Sequence, residues 1–279
     1  MNMHNFRLFL LLLLSPAIVT AQTTTRDTGK DSAGGTLTSP GGKTNIVLVP
    51  MYPTMFNVDS DISQAMSKAS GQNFDQIRAT FNKALADQLS KQFGSTYKII
   101  SLLDDTVKMK ADLRTVYANT TNEWTLTGSP LNPPPASAGT PTKPPAGVKS
   151  GQVQAQTAQG DRFMNVRLNN STALDLLKKK YNAQYVIFVN QLDLKNDLGS
   201  DPYNLNGTQT FKRVAVLHFT IYSTATAKRI AAGKVKSEFA NTENAPRAII
   251  QKAFPGLMRQ VHFRYQEGLK PAPVKTPGQ

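Results

Sequence analysis

His218 and His262 are the two histidines outside the first residues of the chain, and neither has a carboxylate at the spacing that a zinc site or a general-base pair uses. Both read as structural. The chain has no cysteine, which excludes thiol nucleophiles, disulfides and thiolate metal sites. Ser95-Thr96-Tyr97-Lys98 has the S-x-x-K form in which a lysine lies one helical turn from a serine nucleophile. Here it opens the strand-like run Tyr97 to Leu103, where that geometry fails, and neither S-D-N nor K-T-G follows. No G-x-G-x-x-G, P-loop, G-x-S-x-G or H-E-x-x-H string occurs. Asp193, Asp197 and Asp201, with Asn204, Asn206 and Gly207, are oxygen-rich enough for calcium, but their spacing matches no calcium loop and they read as a solvated connection. For a hydrolase, carboxylates such as Asp104, Asp105 or Asp193 would have to converge in one cleft. No catalytic residue, cofactor or metal ligand is expected.

Residues suited to contact rather than chemistry are easier to find. Met51, Tyr52, Met55 and Phe56 crowd one loop after a buried strand, either as a partner-binding lip or as packing under the next helix. Trp124 is the single tryptophan, at the edge of a Pro-rich stretch, and Lys178, Lys179 and Lys180 form a basic run. The remaining basic residues, among them Lys212-Arg213, Lys228-Arg229, Lys234 and Lys236, are scattered. Nucleic acid would require a basic stripe interleaved with stacking aromatics, so it is not the expected partner. A formal net charge of +14 at pH 7 suits an envelope protein or an anionic envelope polymer better.

The elements that must position these residues follow from periodicity. Asn45 to Val49 is a buried strand ended by Pro50. Ile77, Phe81, Ala84, Leu85, Leu89 and Phe93 recur at helical spacing before Gly94. Tyr97 to Leu103 is a second strand, parallel to the first through a right-handed crossover, and Asp104 or Asp105 caps a helix carrying Met109, Leu113, Val116 and Tyr117 that fades near Asn119. From Thr120 to Asp161 the chain is rich in Pro, Ala, Gly, Thr and Gln and reads as an inserted surface loop. Phe163 to Leu168 is expected as an edge strand, followed by a helix capped by Asn170 or Ser171 with Leu174, Leu177 and Tyr181.

Tyr185 to Val189 is continuously apolar, as a strand buried on both faces requires. Val214 to Tyr222 alternates, with Ala215, Leu217, Phe219 and Ile221 on the apolar face and Val214, Val216, His218, Thr220 and Tyr222 on the other. A polar reversal leads to a shorter strand, Arg229 to Val235. The closing helix carries Ile250, Phe254, Leu257, Met258, Val261 and Tyr265 on one face, with Pro255-Gly256 expected to kink or split it. The class is α/β: one domain over 44–266, a mixed central sheet flanked by helices, with a Pro-rich surface insert at about 120–160.

The termini read as outside that domain. Arg7, the apolar run Leu8 to Leu14, Ser15-Pro16 and Val19-Thr20-Ala21 have the order of a signal peptide over 1–21. The run is shorter than the roughly 20 residues that span a bilayer. Cleavage near Ala21 would deliver the chain to the periplasm or the outside, without a lipid-anchoring cysteine. Residues 22–43 form a polar leader with little to bury, and 267–279 a Pro- and Lys-containing tail.

This order of elements, with "AQYVIFVNQLDL", the long hairpin "RVAVLHFTIYSTATAKRIAAGKV" and the final amphipathic helix, resembles a small α/β domain found in bacterial envelope proteins. Its members include the amino-terminal domain of the Tol translocation protein, the curli-export lipoprotein and the lipoprotein that activates a penicillin-binding protein. Their hairpin often carries a D-x-x-T-G-K turn. Thr226 and Lys228 match it here, while Ser223 stands for the aspartate and Ala227 for the glycine. The resemblance spans about Asn45 to Gln266 without the insert and carries over no functional residue. It implies a non-enzymatic adaptor that binds other envelope components; the alternative is a hydrolase of cell-wall or surface polysaccharide.

Overall fold

Strand β1 (Thr44–Val49) sends Ile46 and Leu48 into one core and Val47 and Val49 into another. Only a strand covered on both faces can do so. The computed structural model describes residues 43–94, 96–103, 107–132, 148–149, 152–153, 161–197 and 211–270. The expected signal peptide, almost all of the leader, the Asp104 or Asp105 cap, most of the insert and most of the tail lie outside these residues.

After β1 a short 3-10 turn (Pro53–Met55) leads to β2 (Phe56–Val58) and to two helices, α1 (Ser60–Ser70) and α2 (Phe74–Phe93). α1 has no counterpart in the sequence reading. It buries only Ile62 and Met66, too thin a stripe among polar residues to register as periodic. α2 opens on a capping box in which Asn73 and Gln76 bond each other's backbone N–H. There follow β3 (Tyr97–Ser101), α3 (Val107–Ala118), β4 (Thr120–Leu126), a small β5–β6 pair (Val148–Lys149 with Gln152–Val153) and β7 (Arg162–Leu168). The chain closes with α4 (Thr172–Tyr181), β8 (Tyr185–Asp197), β9 (Lys212–Ser223), β10 (Arg229–Ala240) and α5 (Pro246–Leu269).

The main sheet is mixed, with the order β10-β9-β8-β1-β3 and β2 as a sixth strand beside β8. β1 runs parallel to β3 and to β8, whereas β8, β9 and β10 are antiparallel. α2 and α5 cover one face, where Phe81, Phe254 and Tyr265 are fully buried. α3 and α4 cover β1 and β8 on the other, around Val116, Leu174, Leu177 and Phe188. The class read from the sequence, α/β with a mixed sheet flanked by helices, is the one observed.

Several boundaries differ from expectation. Thr120–Leu126 belongs to no loop: it pairs residue by residue with β7, so the insert begins later and β7 is half of a separate two-stranded sheet, not an edge of the main one. β10 extends five residues past Val235, to Ala240. α5 runs through Pro255-Gly256 as a single element, so of the two expected outcomes the split does not occur. Burial of Phe254, Leu257 and Met258 on both sides of the proline outweighs its cost, about 3 kcal/mol in a helix interior.

The less apolar face of β9 is explained by β7. His218 Nδ1 accepts from Met164 N–H (2.9 Å), Thr220 Oγ1 accepts from Val166 N–H (3.2 Å), and the Tyr222 hydroxyl donates to Val166 O (2.9 Å). Asn190 Nδ2 donates to Met164 O (2.8 Å). Side chains of the main sheet thus take the place of a neighbouring strand along the second edge of β7.

Two substitutions test the packing. A Cβ at Gly268 would stand 2.0 Å from Ile230 O, so the end of α5 touches β10 backbone directly. Gly268→Ala should lower stability by about 2 kcal/mol although alanine favours helix by about 1 kcal/mol; an unchanged or raised urea midpoint would refute the close approach. Ala227, which replaces the motif glycine, sits at φ 54, a conformation that costs a residue with a Cβ on the order of 1 kcal/mol. Ala227→Gly should therefore raise the melting temperature.

Candidate functional site

Among the described residues, two cavities stand out. The larger, about 510 Å³, lies along β8, β9 and β10 and is lined by Trp124, Asp193, His218 and a set of charged side chains. Trp124 is 54% exposed and sets its ring edge-on to His218, with centroids 5.9 Å apart. It stands on β4 opposite Met164 of β7, so its place at the cleft follows from the two-stranded sheet and not from the insert.

Asp193 lies inside β8, not in a connection, and is 1% exposed. Its Oδ1 accepts from Asn57 Nδ2 (3.0 Å) and Gln191 Nε2 (2.6 Å), and its Oδ2 faces Lys195 Nζ (2.9 Å). His218 Nε2 is 3.4 Å away, too poorly aligned for a full hydrogen bond. Because Nδ1 accepts the Met164 N–H, the proton on the ring is assigned to Nε2, on the Asp193 side. Burial alone would raise the Asp193 carboxyl, but the nearby His218 imidazole and the donors Lys195, Asn57 and Gln191 together outweigh it and hold the group well below the usual carboxylate range.

Around this buried centre the cleft carries Arg162, Lys195, Lys234 and Lys236 against Asp197 and Glu238. Lys234 pairs with Asp161, and Glu238 with Lys212 (2.6 Å). Arg162 and Lys236 make no side-chain hydrogen bond or ion pair with another described residue. Such a cleft can offer an aromatic platform with cations for an acidic group and carboxylates for hydroxyl or amide donors. Asp193 and His218 are too enclosed to touch a ligand without rearrangement.

The second cavity, about 320 Å³, lies where the chain leaves β1. Tyr52, Met55, Tyr117, Phe188 and Asn190 contribute to its wall. Tyr52 is 45% exposed and packs edge-on against Tyr117 at 5.0 Å, whose hydroxyl donates to Pro50 O (2.8 Å).

The loop residues named from the sequence therefore divide. Tyr52 and Met55 line a cavity, whereas Met51 and Phe56 are core residues, 2% and 4% exposed. Phe56 stacks on Phe74 and meets Phe81 at a tilt. The lysine run divides too. Lys178 and Lys179 are exposed, but Lys180 is bound to the buried Asp112 of α3 at 2.6 Å, as is the Tyr181 hydroxyl, so it ties α4 to α3. Burial tends to raise the Asp112 carboxyl, and the bonds from Lys180 and Tyr181 lower it overall. His262 rests on Phe93, and burial depresses its basicity. Asp104 and Asp105 lie outside the described residues. Among the described residues no three His, Asp or Glu side chains meet as a metal site, and no helix is long and apolar enough to cross a membrane.

No protein-family model matches the chain, and no curated protein matches it. Similar solved structures include a hypothetical protein of Chlamydia trachomatis, with 9% identity, 82% of this chain and 98% of that one covered, and a TM-score of 0.36. A neuraminyllactose-binding hemagglutinin homolog of Helicobacter pylori gives 7% identity, coverage of 86% and 94%, and a TM-score of 0.32.

Sequence reasoning passed over Arg162, Lys195 and Asn190. Asn190 could have been noticed as the first of two amides, with Gln191, that interrupt the apolar run between VIFV and LDL, where a buried polar side chain requires a partner. Lys234, Lys236 and Glu238 share one face of β10 by alternation, which becomes visible once that strand is extended past Val235.

The Asp193 network gives a pH prediction. A folded-state pKa below the unfolded value contributes stability above about pH 4, and that contribution is lost as pH falls toward the folded pKa. Asp193→Asn should cost about 3 kcal/mol at neutral pH, and the gap between wild type and variant in urea midpoint should narrow from pH 4 to pH 2. A gap independent of pH would refute the ionised network.

Proposed function

We propose that the chain is an exported, non-enzymatic component of the bacterial cell envelope that holds an anionic envelope glycopolymer in the Trp124 cleft. The single observation that carries this reading is an exposed tryptophan over a cleft rimmed by Arg162, Lys195, Lys234 and Lys236. A sugar ring can lie against the indole, a carboxylate on the sugar or its peptide can meet Arg162 and Lys236, and hydroxyl or amide donors can meet the rim carboxylates. The N-terminal pattern of Arg7, Leu8 to Leu14 and Ala21 supports export, and the charge of +14 supports an anionic partner. The resemblance to envelope adaptor domains points the same way.

The alternative, a hydrolase of cell-wall or surface polysaccharide, would draw on Asp193 and His218. Their geometry favours it less. A general base must present a free acceptor to substrate, whereas the Asp193 carboxylate is taken up by its neighbours and His218 Nδ1 by a backbone N–H.

Since Trp124 is the single tryptophan, fluorescence excited at wavelengths that tyrosine does not absorb reports on this cleft alone. Soluble peptidoglycan fragments should change its emission at low salt and do so less at high salt. The Arg162→Ala, Lys236→Ala double variant should bind about tenfold more weakly, the size expected for losing about 1.4 kcal/mol of charge-assisted contact. An unchanged spectrum, or undiminished binding by the variant, would overturn the assignment; a stoichiometric envelope protein recovered in its place would replace the polymer as partner.

A further inference from the structure

β8 has two partners in succession on its β1 side. β1 pairs with Tyr185–Phe188 and β2 with Leu192–Leu194, while the chain between them, 50–55, swings out over the 3-10 turn. Residues 189–191 of β8 therefore have no strand partner on that side. On the opposite side the β8–β9 register slips between Val189 and Gln191, which makes Asn190 the extra residue of a β-bulge. Bulges re-aim a side chain locally and recur beside functional sites. The cavity of about 320 Å³ lies at this gap, at the carboxyl end of β1, the end at which open α/β sheets bind ligands.

Asn190 lines the cavity and is 2% exposed. Its Nδ2 donates to Met164 O (2.8 Å) and to Thr220 Oγ1 (2.8 Å), and since the carbonyl can only accept, the orientation of the amide is fixed. Its Oδ1 is buried and meets no donor among the described residues. Thr220 cannot supply one, because its hydroxyl proton goes to Asn165 Oδ1 (3.0 Å). Tyr117 cannot either, because its hydroxyl is committed to Pro50 O. An unmatched buried acceptor is costly, about 1–3 kcal/mol, and native folds rarely keep one without a use.

The structure assigns this cavity, we infer, as a second binding site for a small uncharged ligand group, a single ring or a comparably compact apolar moiety carrying one O–H or N–H that donates to Asn190 Oδ1 once a small shift of the wall uncovers that enclosed atom. None of the lining residues is Asp, Glu, Lys, Arg or His, so the wall offers no counter-charge. Phe188, Val189 and Met55 supply the apolar contact, and exposed Tyr52 forms the outer edge. The volume is at the lower end of the range for ligand pockets, about 300–1,000 Å³. The site shares no lining residue with the Trp124 cleft, so it stands or falls independently of the glycopolymer reading.

The test uses phenol and fluorobenzene as probes of nearly equal size, of which only phenol donates. With the mature protein labelled at methionine methyls and at side-chain amides, phenol should shift the Met55 methyl and the Asn190 amide resonances and bind at least tenfold more tightly than fluorobenzene. Asn190→Leu removes the acceptor but also the bonds to Met164 and Thr220 and can unfold the chain, so the decisive variant is Thr54→Trp. Thr54 is exposed at the cavity, and filling the mouth from there should abolish the phenol shifts while leaving the melting temperature unchanged. Equal binding of the two probes, phenol shifts that persist in Thr54→Trp, or no shift at either group would overturn the assignment.

Discussion

The bonding of the second edge of β7 by side chains is the constraint on which both cavities depend. β7 has a strand, β4, on one side only, and on the other its backbone meets His218, Thr220, Tyr222 and Asn190. Thr220 uses its donor and two acceptor positions at once, toward Asn165, Val166 and Asn190. Buried networks of this kind are strong when complete and costly when one member is missing. They also fix register, because a one-residue slip of β9 would turn Leu217 and Phe219 toward β7 and remove every one of these bonds. Trp124 stands over the cleft because β4 is paired to a strand held in this way. Asn190 has its amide fixed for the same reason.

The second determinant is the length of β8. Thirteen residues are more than β1 can cover, and the fold answers with two successive short partners, β1 and β2, instead of one long strand. Pro50 and Pro53 make continuous pairing across the gap unfavourable, since neither can donate to a ladder. What is left is a break in the sheet directly beside a bulge. Apolar packing on the far face, through Ile187, Val189 and Leu192 against the α2 and α5 side, keeps β8 straight enough to carry both partners.

Periodicity made the main sheet and its helices legible, and the partial failures have physical causes. The two-faced burial of Asn45 to Val49 and Tyr185 to Val189, the alternation in β9 and the stripe of α5 are strong signals because many residues repeat them. Thr120 to Leu126 was obscured by composition: Thr, Asn and Glu give little apolar alternation, and β4 is held chiefly by its ladder to β7, which no local pattern reveals. α1 is supported by two buried side chains. Met51 and Phe56 looked like loop residues because their core lies under α2, 18 or more residues further on, and Lys180 looked like surface charge because its partner, Asp112, is 68 positions away. Long-range pairing of polar groups is the part of a fold that sequence spacing encodes least.

The same pairing bears on what the clefts can do. A histidine and an aspartate 3.4 Å apart beside a cavity invite a catalytic reading, yet the number of bonding positions on each group is finite. Two of the lone-pair directions on Asp193 are taken by amides and one by a lysine, and His218 has given its acceptor nitrogen to β7. A carboxylate held by three donors and an imidazole whose acceptor nitrogen is occupied can tune their surroundings but offer a substrate little free basicity. Asn190 Oδ1 is the contrary case, an acceptor that the fold has positioned and left unmatched among the described residues. Of the three buried side-chain atoms without a partner among the described residues, His218 Nε2, the Tyr265 hydroxyl and Asn190 Oδ1, only Asn190 Oδ1 belongs to a residue that lines the cavity at the break in the sheet.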